Sequence, residues 1–495
     1  MTPMDVDETI LARRAKIVAA LRCIVPDEGV IEQEIGRRPY ETDALTAYRA
    51  LPMVVVLPDS VAQVRGVLSY CYENNVKVVP RGAGTSLSGG ALPLEDGVLL
   101  SMMKFNKIKE IDFANRFAIV EPGVTNLAIT RAVEAEGFYY APDPSSQIAC
   151  SIGGNVAENS GGVHCLKYGL TTNNVLGCEM VLMTGEVIRL GGRHLDQAGY
   201  DLLALVIGSE GMLGVVTEVT VRILRSPESA RALLIAFDSS ESAGACVAGI
   251  IAAGIIPGGM EMMDKPAIEA AEDFVHVGYP REAEALLIVE LDGPPVEADY
   301  LVGLVEKIAL AHGATQCRIS NSEAERLAFW AGRKAAFPAV GRLSPDYYCM
   351  DGTIPRKELA KVLAGMRVLS ERHGLRVANV FHAGDGNLHP LILYDANKPG
   401  ELLRAEQFGA DILRLCVAVG GVLTGEHGVG VEKRDLMPEM FNGIDLAQQI
   451  AVKCAFDEKQ LLNPGKVFPV LHRCAELGLM HVHGGALPFP DIPRF

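Results

Sequence analysis

The chain contains 11 cysteines, but nowhere are two of them separated by only two residues. The common ligand spacing of iron–sulfur clusters and zinc ribbons is therefore absent. Scattered cysteines of this kind are typical of reduced, structural thiols. If the protein passes electrons onward, we expect the next carrier to lie in another chain.

Long apolar runs are also missing, since none approaches the about 18 residues that a membrane-spanning helix needs. The first residues, Met1 to Asp7, are acidic where a secretory signal peptide is basic. We therefore expect a cytoplasmic protein with no membrane span of its own. Contact with the inner membrane would then be peripheral, through partner subunits.

Positive charge is scarce, with 45 Lys and Arg against 61 Asp and Glu and a formal net charge of −16. This balance argues against nucleic acid and an anionic membrane surface as direct partners. An anionic substrate would need cations placed specifically at its site. The 495 residues, 49% of them hydrophobic, predict a globular chain of two or more domains.

Glycine is abundant in one stretch, Pro80 to Gly90, which follows the strand-like run Val76–Val79. The stretch lacks the Gly-Lys-Ser/Thr of a Walker loop, and Leu87 stands where a Rossmann fingerprint has its third glycine. Glycines let the backbone approach a ligand closely, and consecutive N–H groups form an anion-binding concavity. The alternative is an ordinary glycine-rich surface turn.

Two further glycine clusters follow, at residues 151–162 and 208–217. Together the three stretches resemble the FAD-binding domain of the vanillyl-alcohol oxidase and p-cresol methylhydroxylase (PCMH) superfamily, and the resemblance extends over nearly the whole chain. In that family the first loop wraps the pyrophosphate, and the later ones line the isoalloxazine and adenine. Some members attach FAD covalently through a histidine of the first loop; this loop has none, which implies non-covalent FAD. The residues implied to bind the cofactor are Pro80, Arg81, Gly82, Ala83, Gly84, Thr85, Ser86, Gly89, Pro144, Ser145, Ser151, Gly153, Gly154, Asn155, Asn159, Gly161, Gly162, Glu210, Gly211, Gly214, Val215 and Val216.

The expected fold class is α+β. It comprises a PCMH-type FAD-binding domain of two α+β subdomains, and a ferredoxin-like antiparallel-sheet cap domain with a helical C-terminal part. Two tandem β-α-β patterns, around 232–263 and 286–319, predict the cap, with its helices on one face of the sheet. The expected divisions are an N-terminal helical segment (1–50), the FAD-binding domain (51–227), the cap or substrate domain (228–470) and a tail (471–495).

Two apolar runs between Val377 and Leu393 flank Asp385-Gly386, a strong signal for a hairpin turn. A hairpin closing at that turn would make His382 and His389 cross-strand neighbours, close enough to share a metal ion. The alternative is two unrelated loop histidines.

Two other segments carry candidate side chains. Glu426 and His427 lie between glycines, where they could supply a third metal ligand and a free imidazole, or simply form a solvated loop. Arg333 and Lys334 lie on a predicted helix rich in small residues. Arginine suits bidentate binding of a carboxylate, although an exposed pair of cations would look the same in the sequence.

These segments resemble the metal-dependent 2-hydroxyacid branch of the same superfamily. The resemblance implies that His382, His389 and Glu426 hold a divalent metal, zinc or manganese. It also implies that His427 is the catalytic base and that Arg333 binds the substrate carboxylate. Relatives acting on 2-hydroxyglutarate carry a lysine shortly before an Asp-x-x-x-Pro segment. No lysine precedes Asp351 in the matching segment here, which favours a short monocarboxylate.

The activity implied by the resemblance is FAD-dependent oxidation of glycolate, or a similar short D-2-hydroxy acid, to the 2-oxo acid. Metal-assisted hydride transfer would reduce the flavin, and electrons would pass to partner subunits that include an iron–sulfur carrier. D-lactate and D-2-hydroxyglutarate are alternative substrates. A non-catalytic electron-relay subunit is an alternative of another class, and an aryl-alcohol oxidase would not need the metal ligands.

Overall fold

The computed structural model describes residues 6–194 and 199–469, and the predicted tail at 471–495 lies outside these ranges. The described residues form an α+β protein built on three main sheets, of four, five and seven strands. Among the described helices, none combines the length and apolar character needed to cross a bilayer.

The first sheet places the first glycine loop. Its strand order is β1-β2-β4-β3, with β2, β3 and β4 parallel and β1 antiparallel at the edge. The loop follows directly after the strand–helix–strand unit of β2, α4 and β3. The elements of this region are α1 Glu8–Ala12, α2 Arg14–Ile24, β1 Val30–Ile31, α3 Glu34–Arg37, β2 Val54–Val56, α4 Val61–Asn74, β3 Lys77–Arg81 and β4 Gly97–Ser101.

The N-terminal segment is helical, as predicted, and it is also part of the first sheet. Ile17, Val18 and Leu21 of α2 are buried in the core of this sheet. Val30 and Ile31 pair with Val56 and Val55 across the predicted boundary at residue 50. Residues 1–50 therefore do not pack as a separate unit where the structure describes them.

The second sheet is antiparallel, with the order β5-β6-β10-β8-β9. The strands β8 and β9 form a hairpin around Thr184-Gly185, and Gly185 has a φ of +89°. The elements of this region are β5 Ile108–Asp112, β6 Phe117–Val120, α5 Asn126–Val133, β7 Phe138–Tyr139, α6 Ile152–Glu158, α7 Cys165–Tyr168, α8 Thr171–Asn174, β8 Val175–Val181, β9 Val187–Gly191, α9 Leu202–Val206, β10 Val215–Arg222 and β11 Leu224–Arg225.

The cap is a seven-stranded sheet with the order β15-β12-β14-β13-β18-β20-β16. Its first four strands have the predicted ferredoxin-like arrangement, and the histidine-bearing hairpin extends the same sheet. The elements are β12 Ser229–Phe237, α10 Ser240–Ala252, β13 Gly259–Asp264, α11 Lys265–Val275, β14 Ala285–Gly293, α12 Pro295–Ala311, β15 Ala314–Ile319, α13 Glu323–Val340, β16 Asp346–Cys349, β17 Gly352–Thr353, α14 Leu359–His373, β18 Val377–Phe381, β19 Asn387–Leu388, β20 Pro390–Tyr394, α15 Glu401–Ala418, α16 Met437–Met440 and α17 Gly443–Phe456.

The prediction that helices cover one face of this sheet is wrong. Along β12, Leu233 and Ile235 pack in a core with α10 and α12, whereas Ala232 and Leu234 pack in another with α11 and α13. Side chains alternate between the faces of a strand, so an uninterrupted apolar run is buried on both. The run from Ala232 to Phe237 carries this signal.

The end of the described chain returns to the first sheet. Leu461 and Leu462 are buried in the first core, and Asn463 N–H donates to the Val78 carbonyl at 2.7 Å. The predicted cap segment 228–470 therefore contains a stretch that packs on the first sheet. The part of the molecule that carries this sheet and the three glycine clusters is called the flavin-loop side below, after the predicted ligand. This return ties the two halves together beside the first glycine loop.

Candidate active site

A cavity of about 450 Å³ lies between the glycine loops and the cap. The predicted catalytic and metal-binding residues Arg333, His382, His389, Glu426 and His427 all line its cap side. The predicted cofactor-binding residues that line it are Pro80, Arg81, Gly82, Ala83, Gly84, Thr85, Ser86, Pro144, Ser145, Ser151, Gly153, Gly154, Asn155, Glu210, Gly211, Gly214, Val215 and Val216. Residues from segments far apart in the sequence therefore line the same cavity.

Four predicted cofactor residues do not line the cavity, and each has another role. Gly89 has a φ of +75° and packs against Val431. Asn159 ends α6 in the left-handed conformation, and its side chain accepts from Thr172 N–H. A Cβ on Gly161 would lie 2.6 Å from Glu426 Oε2, and one on Gly162 would lie 2.5 Å from the carbonyl carbon of Asp143. These four residues of the glycine clusters contact other parts of the protein instead of the cavity.

The glycines at the cavity allow two backbones to approach each other. A Cβ on Gly82 would collide with Ser151 Oγ, and one on Gly153 would lie 2.6 Å from Pro122 Cβ. Arg81 braces the first loop, because its guanidinium donates to the Thr42 carbonyl at 2.8 Å. The first loop and the start of α6 thereby form a tight wall of backbone, which suits a phosphate-bearing cofactor.

The hairpin brings the two predicted ligands together, but in a different register from the predicted one. His382 pairs with Asn387 and Val380 faces His389, so the histidines are diagonal neighbours on one face. The reason is a four-residue turn in which Gly386 N–H donates to the His382 carbonyl at 3.1 Å. The two imidazole centroids are 5.0 Å apart, so the proximity survives the shift.

Three donor atoms converge at this face. Glu426 Oε1 lies 3.2 Å from His382 Nε2 and 3.3 Å from His389 Nε2. Burial opposes charge on both groups. The carboxylates of Glu261 and then Glu426 nonetheless hold the pKa of His382 well above its usual range, and His382 foremost holds the pKa of Glu426 well below its usual range. Two imidazole nitrogens and a carboxylate oxygen at this spacing match the donor set of a divalent transition metal.

Glu261, which no sequence pattern marked as a site residue, orients His382. Its Oε1 lies 2.6 Å from His382 Nδ1, and its Oε2 accepts from Arg333 Nε at 2.8 Å. The carboxylate accepts a hydrogen bond from Nδ1–H, so that Nε2 is the ring nitrogen that faces Glu426. Arg333 is only 1% exposed, so it is not the exposed surface cation that the sequence left open.

Asp351 holds the loop that carries Glu426 and His427. It accepts from Thr424 Oγ1 at 2.5 Å, from Gly425 N–H at 3.0 Å and from His427 N–H at 3.0 Å. Burial would raise its pKa, but interaction with the neighbouring His427 and Lys433 holds the pKa of Asp351 well below its usual range. In the sequence, Asp351 is notable only for the lysine missing before it.

Asp351 also forms a second candidate metal group with His389 and His427. Lys433, which is fully buried, lies 3.4 Å from Asp351 Oδ2. An ammonium group so close already neutralises the carboxylate and would repel a second cation. The set of His382, His389 and Glu426 therefore suits a metal better.

His427 lies beside the first set without joining it. Its ring stacks on that of His389 with centroids 4.8 Å apart and an interplanar angle of 11°. Its Nδ1 is buried and finds no hydrogen-bond partner among the described residues. Burial lowers the pKa of His427 to about 4, which corresponds to a neutral imidazole near neutral pH. A neutral, unpaired ring nitrogen is able to accept a proton.

Glu210, predicted to bind the cofactor, has a second connection across the cavity. Its carboxylate accepts from Val429 N–H at 2.6 Å and from Gly430 N–H at 2.7 Å. Burial raises the pKa of Glu210 and, still more, that of the neighbouring Glu158. The loop after His427 is therefore anchored directly to the flavin-loop side.

Comparison with known proteins shows the family of the chain. Residues 52–191 match the family described as FAD binding domain, and residues 226–467 match FAD linked oxidases, C-terminal domain. The glycolate oxidase subunit GlcD of Escherichia coli is 59% identical over 482 residues, 97% of each chain. The chain belongs to the FAD-linked oxidase family.

Other members of the FAD-linked oxidase family and its fold neighbours are more distant. A D-lactate dehydrogenase of Anaerostipes hadrus is 32% identical, covering 91% of this chain and 97% of that one. The solved structure of p-cresol methylhydroxylase with bound substrate superposes with a TM-score of 0.80 at 17% identity, covering 95% of this chain and 99% of that one. The latter likeness confirms the predicted PCMH-type fold.

Proposed function

We propose that this FAD-linked oxidase oxidises glycolate, or a similar short D-2-hydroxy acid, to the corresponding 2-oxo acid. The observation that carries the proposal is the convergence of His382, His389 and Glu426 beside His427 and Arg333, in a cavity whose opposite wall is the flavin loops. The relative in Escherichia coli, 59% identical, is named a glycolate oxidase subunit.

The residues divide the work of the reaction. When bound, FAD would accept a hydride from the α-carbon, and a divalent metal on His382, His389 and Glu426 would lower the pKa of the substrate hydroxyl. His427 takes the hydroxyl proton at a ring nitrogen. Arg333 binds the carboxylate and so fixes the direction of the α-carbon.

Support for the roles of Arg333 and His427 comes from their fixed positions. Glu261 holds one edge of the Arg333 guanidinium, and Arg333 also lines the cavity. Asp351 and Glu210 hold the loop on both sides of His427. Prior fixation of reacting groups lowers the entropy that must be lost in the transition state.

The cavity excludes dicarboxylate substrates less strongly than the lysine missing before Asp351 suggested. Phe337, whose ring lies 6.2 Å from that of His389, also lines the cavity, and its bulk there supports a small substrate. Lys334 is exposed yet lines the same cavity, so a cation for a second carboxylate is present after all. D-lactate, suggested by the 32% identical relative, and D-2-hydroxyglutarate therefore belong in the test.

The relay and aryl-alcohol alternatives fit the site less well. Electron relay needs no proton acceptor beside a set of metal ligands, and oxidation of an aryl alcohol needs no such set. We propose that electrons leave the flavin for a partner subunit carrying an iron–sulfur centre. The scattered cysteines support this, because they offer no Cys-x-x-Cys site for a second redox centre in this chain.

We further infer that FAD is bound without a covalent link and that residues 51–227, with the N-terminal segment, form the flavin-binding half. Support comes from the first loop, which contains no histidine. Denaturation followed by filtration should release the flavin. Flavin that stays with the polypeptide would contradict the inference.

The test of the function is anaerobic mixing of the flavin- and metal-loaded protein with glycolate, D-lactate and D-2-hydroxyglutarate in separate experiments. Bleaching of the oxidised flavin spectrum reports hydride transfer directly and needs no partner subunit. We expect glycolate to bleach the flavin fastest. Fastest reduction by D-lactate or D-2-hydroxyglutarate would reassign the substrate, and no reduction by any of the three would refute the proposed class.

A further inference from the structure

Glu261 on β13 connects two elements of the site that do not touch each other in sequence. Its Oε1 lies 2.6 Å from Nδ1 of His382 on the hairpin. Its Oε2 lies 2.8 Å from Nε and 2.7 Å from Nη2 of Arg333 on α13. The side chains of Glu261 and Arg333 are each 1% exposed. One buried carboxylate therefore uses both oxygens, one on each side of the site.

Such a carboxylate has strong physical consequences. A buried arginine is tolerated only when it is paired, and the loss of its partner leaves an uncompensated charge. An imidazole that donates Nδ1–H to a carboxylate keeps its Nε2 lone pair directed at a metal and becomes a better ligand. Removal of Glu261 would disturb both groups at once.

We propose that Glu261 is a positioning residue that couples metal binding at His382 to binding of the substrate carboxylate at Arg333. This inference rests on the proposed function for the role of Arg333, whereas its metal-binding half stands on the donor geometry alone. The single negative charge lies between a guanidinium and the metal position, so it screens the repulsion of two cations that must bind one small substrate together.

The glutamine variant separates this role from mere space filling. In Glu261→Gln the volume is unchanged, but the amide has one acceptor and one donor end. Its amide oxygen is able to accept a hydrogen bond from His382 or from Arg333, but its NH₂ group, which only donates, then faces the other of these two donors. The variant cannot satisfy both partners, so metal retention and carboxylate binding are expected to fall together. Glu261→Asp keeps the charge and should lose less.

Glu290 provides a matched control. It lies on β14, the strand next to β13, is 3% exposed and accepts from Arg326 Nη1 at 2.6 Å and from Trp330 Nε1 at 2.5 Å. Its Oε1 also lies 3.3 Å from His164 Nε2. Among the described residues it has no hydrogen bond to His382 or Arg333. Glu290→Gln therefore reports the cost of removing a buried, arginine-paired carboxylate from this sheet.

The experiment compares the parent, Glu261→Gln, Glu261→Asp and Glu290→Gln as full-length proteins with flavin content and thermal melting verified. Each is loaded with Mn²⁺ or Zn²⁺ alone, and the dissociation constant is measured by competition with a chelator. We expect Glu261→Gln to bind metal about 10- to 100-fold more weakly, with a smaller loss in Glu261→Asp and none in Glu290→Gln. Anaerobic flavin reduction by glycolate at saturating metal should then show a raised KM in Glu261→Gln.

Two results would overturn the inference. The first is metal affinity in Glu261→Gln within two-fold of the parent, and the second is an equal loss in Glu290→Gln. Because the metal measurement involves no substrate, a parent that binds metal but is reduced by no 2-hydroxy acid would refute the proposed function alone. Should Glu261→Gln fail to fold, Glu261→Asp decides: an affinity equal to that of the parent contradicts the coupling.

Discussion

The two walls of the cavity are made of different chemical groups. On the flavin-loop side the wall is rich in glycines, among them Gly82 and Gly153, where the absence of a side chain leaves the backbone at the cavity. On the cap side it consists of buried and half-buried ionisable side chains, among them His382, Glu426 and His427. A backbone wall suits a large cofactor that is bound by shape and N–H groups, and an ionisable wall suits proton and metal chemistry.

The comparison teaches that the two walls should fail in different ways. Changes to the backbone wall should weaken flavin binding and leave the metal in place. Changes to the ionisable wall should alter rate or metal content and leave the flavin in place. Glu210 is an exception, because it lies on the backbone wall but binds the loop that carries part of the ionisable wall.

The largest effect is expected from His427→Ala. Removal of a general base lowers the rate of the chemical step by about 10²- to 10⁴-fold. Flavin and metal should both remain, since His427 lies outside the proposed ligand set and the flavin wall. The measurement is anaerobic flavin reduction by glycolate, with both cofactors quantified in the same sample. A rate within a few-fold of the parent would remove His427 from the mechanism.

A smaller effect is expected from Arg333→Lys. The lysine retains a positive charge for Glu261 but loses the planar fork that suits a carboxylate. Hydrogen bonds to charged groups contribute about 1.5–3 kcal/mol, so kcat/KM for glycolate should fall by about 10- to 100-fold, mostly through KM. Steady-state kinetics with an artificial electron acceptor measures this. An unchanged KM would show that Arg333 does not bind the substrate carboxylate. Lys334→Ala is the control, since it removes the neighbouring cation of the same helix.

On the backbone wall, Gly82→Ala should act on flavin binding. Its Cβ would collide with Ser151 Oγ, and overpacking of this kind costs about 1–3 kcal/mol. We expect about 10-fold weaker FAD binding in titrations of the apoprotein, with metal affinity unchanged. The double variant with Ser151→Ala removes the colliding oxygen and should recover part of the loss. Loss of metal together with FAD in Gly82→Ala would break the distinction between the walls.

The smallest effect in this series is expected from Ser151→Ala alone. Ser151 Oγ caps α6 by accepting from Gly154 N–H at 3.3 Å. Loss of an N-cap costs about 1 kcal/mol, so the melting temperature should fall by a few degrees at most. A thermal melt monitored by circular dichroism measures it. A decrease of more than about 3 kcal/mol in the free energy of unfolding would show that the serine does more than cap this helix.

Local signals made much of this structure predictable. The glycine loop after β3, the Thr184-Gly185 hairpin and the ferredoxin-like part of the cap each depend on neighbouring residues. The histidine pair was predicted from the Asp385-Gly386 turn, although the turn has four residues and the register shifts. Diagonal and directly opposed residues are both within reach of a shared ion, so the conclusion was insensitive to the error.

The contacts that could not be predicted join residues far apart in the sequence. Glu261 meets His382 across 121 positions of sequence, and Glu210 meets Val429 across 219. Asp351 contacts His427 across 76. Nothing in a single sequence marks which buried carboxylate will face which loop, because that depends on the packing of the whole cap sheet. These carboxylates hold the candidate ligands in place, so fold prediction alone would have left the site incomplete.

The central claim is that a metal site of side chains and a flavin site of backbone share one cavity but are chemically separable. The most direct test is to measure metal and flavin content together in His382→Ala, His389→Ala and Glu426→Ala. The account predicts that each variant loses the metal and keeps its flavin. Metal content unchanged in all three variants, or flavin lost along with the metal, would contradict it.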